Sequence, residues 1–217
     1  MAVFQCVLVG DESLLVECAR RLTARGHAIA AIVTASGPVR QWAEGSGIKV
    51  LEWGSDLSET LASQDFDYLF SIANLRMIPQ SVWQRARRGA INFHDGPLPR
   101  YAGLNTPSWA LLAGEERHGI TWHSITDGID EGGIYARADF EIAPDDSALT
   151  LNTKCFEAGL AAFADMLPGL EDGSLRPVPQ DFTDRQLFMR QKRPQRLGAI
   201  AFEDGAEAAS RMVRALS

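Results

Sequence analysis

The chain has 217 residues, 46% hydrophobic and 23% charged, which suits one large globular domain, or a domain with a small appendage, and excludes intrinsic disorder. Its 21 Lys+Arg against 28 Asp+Glu give a net charge of −7, the wrong sign for a surface devoted to nucleic acid or another polyanion. No apolar run approaches the ~18 residues of a bilayer span, residues 1–9 lack the basic start and cleavage-like site of a signal peptide, and Cys6, Cys18 and Cys155 fit buried thiols in a reducing cytoplasm better than disulfides or a metal site.

Residues 3–9 read as a buried first strand. Gly10-Asp11-Glu12-Ser13 follows as a strand-to-helix turn with Ser13 as N-cap. It is not the Gly-x-Gly-x-x-Gly dinucleotide fingerprint, and its two acids would repel a pyrophosphate. Leu14, Leu15, Cys18, Ala19 and Leu22 recur at helical spacing up to a stop at Gly26. His27 then reads as a surface turn residue. Residues 28–34 and 49–51 are the second and third strands, flanking a short helix over 39–44. Residues 56–63 are helical, capped by Ser55 or Asp56, and 68–72 form a fourth strand. Pro79 suits the first turn of a helix carrying Val82 and Trp83. Residues 89–92 are a short fifth strand.

After Thr106 the pattern changes. Residues 108–112 are helical, ending near Gly114. Residues 119–125 and 133–140 alternate and flank an acidic loop as an antiparallel pair. Ser147 caps a long helix from Ala148 to about Met166. Residues 177–194 read as a loop or linker crossing the surface, and their cluster of Arg185, Arg190, Lys192, Arg193 and Arg196 as solvated charge. Residues 206–216 are helix-like. The βαβα alternation predicts an α/β fold: a Rossmann-like, mostly parallel sheet with helices on both faces, plus an antiparallel strand pair and a long C-terminal helix. Ligands of such sheets bind at the strands' carboxyl ends.

Two stretches carry chemistry. Ile91-Asn92-Phe93-His94-Asp95-Gly96-Pro97-Leu98-Pro99-Arg100 places an amide and an imidazole two residues apart at a strand end, on one side if the backbone stays extended. Asp127-Gly128-Ile129-Asp130-Glu131-Gly132-Gly133 is a Gly-spaced acidic loop. Amide donor, imidazole and carboxylate together suit acyl transfer. Local sequence leaves the carboxylate open among Asp95, Asp127, Asp130 and Glu131, and Asp127-Gly128 also reads as a simple turn. His123 shares an alternating strand with Thr121 and is a candidate for the same cleft. His94, His118 and His123 lack metal-ligand spacing, so no metal is expected.

At these residues the sequence resembles the folate-dependent formyltransferases, whose pattern is Asn-x-His, a Ser-Leu-Leu-Pro-type turn, then Asp-x-Gly-x-Asp-x-Gly. Here it runs Asn92-Phe93-His94, then Gly96-Pro97-Leu98-Pro99-Arg100-Tyr101-Ala102-Gly103, then Asp127 to Gly132. Gly96-Pro97 replaces the usual Ser-Leu, and Ala102 a frequent Arg. The resemblance implies Asn92, His94 and Asp130 as catalytic residues, so it selects the carboxylate. It further implies donor contacts from Leu75, Arg76, Met77, Ile78, Asp127, Gly128 and Ile129, and acceptor contacts from Leu98, Pro99 and His123. The cosubstrate it implies is 10-formyltetrahydrofolate, with no metal.

The wording of residues 13–15 and 92–103 is closest to formylation domains of nonribosomal peptide or polyketide synthetases. That implies an aminoacyl group on a carrier protein as acceptor, in the cytoplasm, with no membrane or nucleic-acid partner. Residues 1–170 would be the catalytic domain. Residues 171–217 would be a linker and the start of a C-terminal subdomain cut from a longer chain. Formylation of a sugar nucleotide or free amino acid, hydrolysis of formyltetrahydrofolate, and a silent folate-binding or docking domain are the alternatives.

Overall fold

Alternation along each strand divides the core. In a computed structural model describing residues 2–54, 57–62, 64–194, 199, 203 and 205–217, β1 (Gln5–Val9), β2 (Ala28–Val33), β3 (Val50–Leu51), β4 (Tyr68–Ser71) and β5 (Gly89–His94) lie parallel. The helices between them are α1 (Ser13–Ala24), α2 (Gly37–Gly45), α3 (Leu57–Thr60) and α4 (Gln80–Trp83). Cys6, Leu8, Phe70, Ile91 and Phe93 join α1 and α2 side chains on one face; Val7, Val9, Leu69 and Ala90 join Leu57 and Val82 of α3 and α4 on the other. A period of two thus feeds both layers of helices.

The chain then forms β6 (Ala102–Gly103), α5 (Thr106–Ala113), β7 (Arg117–Ser124), β8 (Ile134–Glu141), α6 (Ala148–Asp172), a 3-10 turn at Phe182–Asp184, β9 (Leu187–Phe188) and α7 (Ala206–Leu216). The main sheet has the order β3-β2-β1-β4-β5-β7-β8, with β7 antiparallel to both neighbours. β6 and β9 pair separately. Chain order reverses between β1 and β4, where open α/β sheets leave a crevice at the carboxyl ends. Among the described residues, no helix is long and apolar enough to cross a membrane.

The predicted α/β sheet with its antiparallel pair and long helix is the observed one, and the differences are local. Ser13 is the first helical residue, not the cap: Glu12 takes the extended cap conformation without a side-chain bond. Ser36 caps α2, accepting from the Val39 N–H, so that helix starts earlier than expected. Ser55, Asp56 and Ser63 lie outside the described residues. Pro79 is the N-cap of α4 rather than a helical residue. β5 runs on to His94 because β7 supplies partners, Phe93 to Trp122 and His94 to Thr121. Ser147 caps α6 as expected, in a reciprocal box with Thr150.

α6 outruns its expected end near Met166 and passes through Pro168 to Asp172. Tertiary contacts hold that last stretch. Buried Glu171 accepts from Arg25 at 2.6 and 2.8 Å and bonds His27 at 3.0 Å, while Arg88 donates to the Leu170 carbonyl. The Arg25 hydrogen bond outweighs burial and keeps the Glu171 carboxyl below its ordinary range. His27 is therefore no surface turn residue. It is 5% exposed and stacks on Phe4 at 3.7 Å.

Residues 177–194 cross the surface, yet they are pinned to it. Val178 bridges Ile134, and β9 pairs with β6. Arg185 is largely covered, its side chain 20% exposed against Glu131, so it departs from the solvated-charge reading; Arg196 lies outside the described residues. α7 packs through buried Ala215 on Leu111 and Leu151.

The antiparallel end depends on α6. Trp122, fully buried, donates its indole N–H to the Gly159 carbonyl at 3.0 Å, and a Cβ at Gly159 would sit 2.4 Å from the Phe93 ring. A Gly159→Val substitution is expected to destabilise the protein by about 2 kcal/mol through overpacking, measured by urea unfolding; unchanged stability would show that the ring moves aside freely.

Candidate active site

Asn92 and His94 occupy alternate positions of β5 and so share a face. Antiparallel pairing sets His123 opposite Asn92 and Thr121 opposite His94, with Arg137 of β8 beyond Thr121. The reverse face carries Phe93 and Trp122 onto α6. One side of this end of the sheet is therefore apolar and covered, and the other is polar.

The segment after His94 folds over the polar side. The Leu98 N–H donates to Thr121 Oγ1 at 3.1 Å, Thr121 donates to the Gly96 carbonyl at 2.8 Å, and Arg137 donates to the Leu98 carbonyl at 3.4 Å. A Cβ at Gly96 would meet the Tyr101 carbonyl at 2.6 Å and His94 Nε2 at 2.8 Å, so this turn requires glycine. His94 Nε2 lies 2.5 Å from that carbonyl, which only accepts, so Nε2 carries the proton. Nδ1 then faces the carboxylates.

Four acids were candidates, and the geometry separates them. Asp130 places Oδ2 3.6 Å from His94 Nδ1 and Oδ1 3.4 Å from His123 Nε2. Asp95 stands 3.8 Å from the same His94 nitrogen. Asp127 is exposed, 3.5 Å from the Gln80 amide, and Glu131 faces Arg185 at 3.1 Å. Burial by itself raises the Asp130 carboxyl. The imidazoles of His94 and His123 and the Gly103 N–H, at 2.8 Å, outweigh it and hold the group well below the usual carboxylate range.

His123 is part of this cluster. Its Nδ1–H donates to the Ser124 carbonyl at 2.9 Å, while Nε2 faces Asp130 and lies 3.1 Å from the Asn92 amide nitrogen. His118 stands apart: its Nε2 donates to the Asp95 carbonyl at 2.8 Å, and burial pushes its imidazole down.

The remaining predicted residues fall in three groups. Leu75 and Met77 are 81% and 69% exposed on the loop after β4. Arg76 is tied to Asp11 at 2.8 Å, and Ile78 is buried in the core beneath that loop. Asn74 organises the turn by bonding Ser71, the Arg76 carbonyl and the Arg76 N–H. Asp127 lies 3.5 Å from the Gln80 amide at the start of α4, and the Ile129 carbonyl accepts from Arg185. Leu98, itself fully buried, and Pro99 both line a cavity of about 780 Å³ bounded by Arg100, Glu115, His118, Arg137 and Asp181. Among the described residues, no group of three His, Cys, Asp or Glu side chains converges as a metal cage.

Sequence reasoning missed Thr121, which anchors the turn, the Tyr101 carbonyl, which sets the His94 tautomer, and the Gln180 and Arg185 contacts to the acidic loop. A main-chain carbonyl has no sequence signature. Gln180 and Arg185 sit in a stretch without periodicity.

Comparison with known proteins agrees with the geometry. Residues 26–167 match the formyl transferase family model. A methionyl-tRNA formyltransferase of Desulfotalea psychrophila is 33% identical over 150 residues, 67% of this chain and 46% of the relative, so the chain spans about half the length of that curated protein. An N-formyltransferase from Helicobacter canadensis, solved with folinic acid and dTDP-3-aminofucose, superposes with a TM-score of 0.83 at 20% identity, over 98% of this chain and 80% of the other. HypX from Aquifex aeolicus, solved with tetrahydrofolic acid, gives 0.76 at 21% identity, over 99% and 34%. With Asn92, His94 and Asp130 assembled at the carboxyl end of such a sheet, this chain belongs to the family of folate-dependent formyltransferases.

Proposed function

We propose that the protein transfers the formyl group of 10-formyltetrahydrofolate to an acceptor amine, an aminoacyl group on a carrier protein. The observation that carries the transfer is the largely covered Asp130 carboxylate set between His94 and His123, with the Asn92 amide on the same face. The acceptor amine attacks the formyl carbon, whose oxygen becomes an oxyanion. The Asn92 amide and a protonated His94 Nδ1 donate to that oxygen. His94 Nε2 is committed to the Tyr101 carbonyl, so Nδ1 is the nitrogen that exchanges protons. Asp130 stabilises the imidazolium and relays the proton lost by the attacking amine. The C–N10 bond then breaks, N10 takes a proton, and a formamide and tetrahydrofolate leave.

The donor's pterin sits between the loop carrying Leu75 and Met77 and the loop of Asp127, Gly128 and Ile129. Exposed apolar side chains on the first loop support this placement. Pro99 and His123 face the acceptor. The net charge of −7 disfavours tRNA, and the likeness to synthetase formylation domains favours a carrier-bound amine. The three cysteines are free and buried, which suits a reducing cytoplasm.

The deciding assay offers 10-formyltetrahydrofolate with aminoacyl carrier protein, free amino acids or amino-sugar nucleotides, and measures formamide product. Turnover in the carrier arm is expected. Turnover confined to the sugar or amino-acid arm replaces the acceptor, and formate release without an amine makes the protein a hydrolase. Asn92→Ala is expected to lower kcat by roughly 10²–10³; near-parental turnover would remove Asn92 from the mechanism.

The Asp130 environment has a consequence for stability. Its folded-state pKa lies below the unfolded value of about 3.9, so its ionisation stabilises the fold above that pH and the contribution fades as pH falls. Asp130→Asn is expected to lose on the order of 2 kcal/mol at pH 7 and to show a shallower decline in stability below pH ~4. Urea unfolding over that range tests this, and parallel curves for the two proteins would contradict it.

A further inference from the structure

Asp130 has a left-handed backbone, with φ of 53°, although it is not glycine. Asp tolerates this region better than most non-glycine residues, and here contacts from a distant segment hold it there. The carbonyls of Ile129, Asp130 and Gly132 are taken by side chains of the segment that follows α6. Gln180 Nε2 donates to the Asp130 carbonyl at 2.9 Å and the Gly132 carbonyl at 2.6 Å. Arg185 donates to the Ile129 carbonyl at 2.7 Å and pairs with Glu131 at 3.1 Å.

The same segment is fixed at both ends. Val178 exchanges two backbone hydrogen bonds with Ile134, at 2.7 and 2.8 Å, just past the loop. β9 pairs with β6, where the Leu104 N–H donates to the Phe188 carbonyl at 2.8 Å. A Cβ at Gly103, whose φ is 99°, would lie 2.3 Å from that carbonyl, so β9 fits only against glycine here. Gly103 also donates its N–H to Asp130 Oδ2. One strap thus holds Asp130 through its backbone, by Gln180 and Arg185, and through its carboxylate, by way of β6.

We infer that Gln180 and Arg185 are positioning residues for the reaction: they clamp the acidic loop so that the Asp130 carboxylate stays between His94 and His123. Neither residue reaches the reacting atoms. Each acts through the backbone of residues 129–132. This inference rests on the proposed role of Asp130.

The test uses the full chain with Gln180→Met, which keeps size but removes both donors, and Arg185→Met, with Gln180→Asn and Arg185→Lys, which keep a donor, as milder variants should either fail to fold. Two readouts are taken. The first is the imidazole Cε1–H NMR signals of His94 and His123. The Met variants are expected to move them in the direction that Asp130→Asn does, while the remote, buried His27 signal stays in place. The second is turnover of 10-formyltetrahydrofolate. Each Met variant is expected to lower kcat roughly tenfold or more, as small misplacements of catalytic groups do, with KM for the donor changed less than about threefold in Gln180→Met. Made in the Asp130→Asn background, the same substitutions are expected to cost almost nothing further, because coupled residues are not additive.

If the His94 and His123 signals do not move, or if the losses in kcat add fully to that of Asp130→Asn, the strap is structural and the inference fails. If Asp130→Asn itself turns over like the parent, the proposed role of Asp130 fails instead. The NMR readout still decides whether the strap holds the carboxylate in place.

Discussion

The register of β5 against β7 governs the end of the sheet that carries Asn92 and His94. Ladder pairing sets Asn92 opposite His123 and His94 opposite Thr121. A slip of one residue would turn the imidazoles and the amide into the apolar layer under α6, and push Phe93 and Trp122 to the open side. The Trp122 indole bonded to the Gly159 carbonyl and the Phe93 ring packed on Gly159 make such a slip costly. Core packing and site geometry are in this sense one constraint: the face that must be buried selects the face that is available for chemistry.

Electrostatics then sharpens what the register provides. Two imidazoles each commit one nitrogen to a main-chain carbonyl, His94 to Tyr101 and His123 to Ser124, so the backbone decides which nitrogens meet Asp130. A carboxylate in that buried position would ordinarily favour its neutral form. The two imidazoles and the Gly103 N–H reverse the preference. Charge is kept where water is scarce because every partner is built into a strand or a tight turn.

The acidic loop is less self-sufficient. It is short and rich in glycine, and its central residue sits in the left-handed region. Much of its conformation comes from a strap that lies some fifty residues further along the chain and joins β6 through a strand of two residues. Local propensity has nothing to say about such an element. Apart from the 3-10 turn at Phe182–Asp184, its regular structure is a two-residue strand that needs β6 as its partner, which is why residues 177–194 read as a linker when taken alone.

Much of the fold was legible in the chain, for local reasons. Apolar runs at period two and period 3.6 marked the strands and helices, Ser147 marked the start of α6, and the parallel alternation put Asn92 and His94 at carboxyl ends. Where the reading stopped short, long-range partners had extended the element: β7 lengthened β5 to His94, and Arg25, His27 and Arg88 carried α6 past Pro168 to Asp172. The sequence by itself determined the kit, an amide and an imidazole two residues apart and an acidic loop downstream, because residue identity and strand period are local properties. Only the tertiary structure decided that Asp130, among four acids, stands between His94 and His123, that Thr121 anchors the turn, and that Gln180 and Arg185 grip the loop. Those choices depend on strand pairing and on main-chain carbonyls, which leave no mark in the order of side chains.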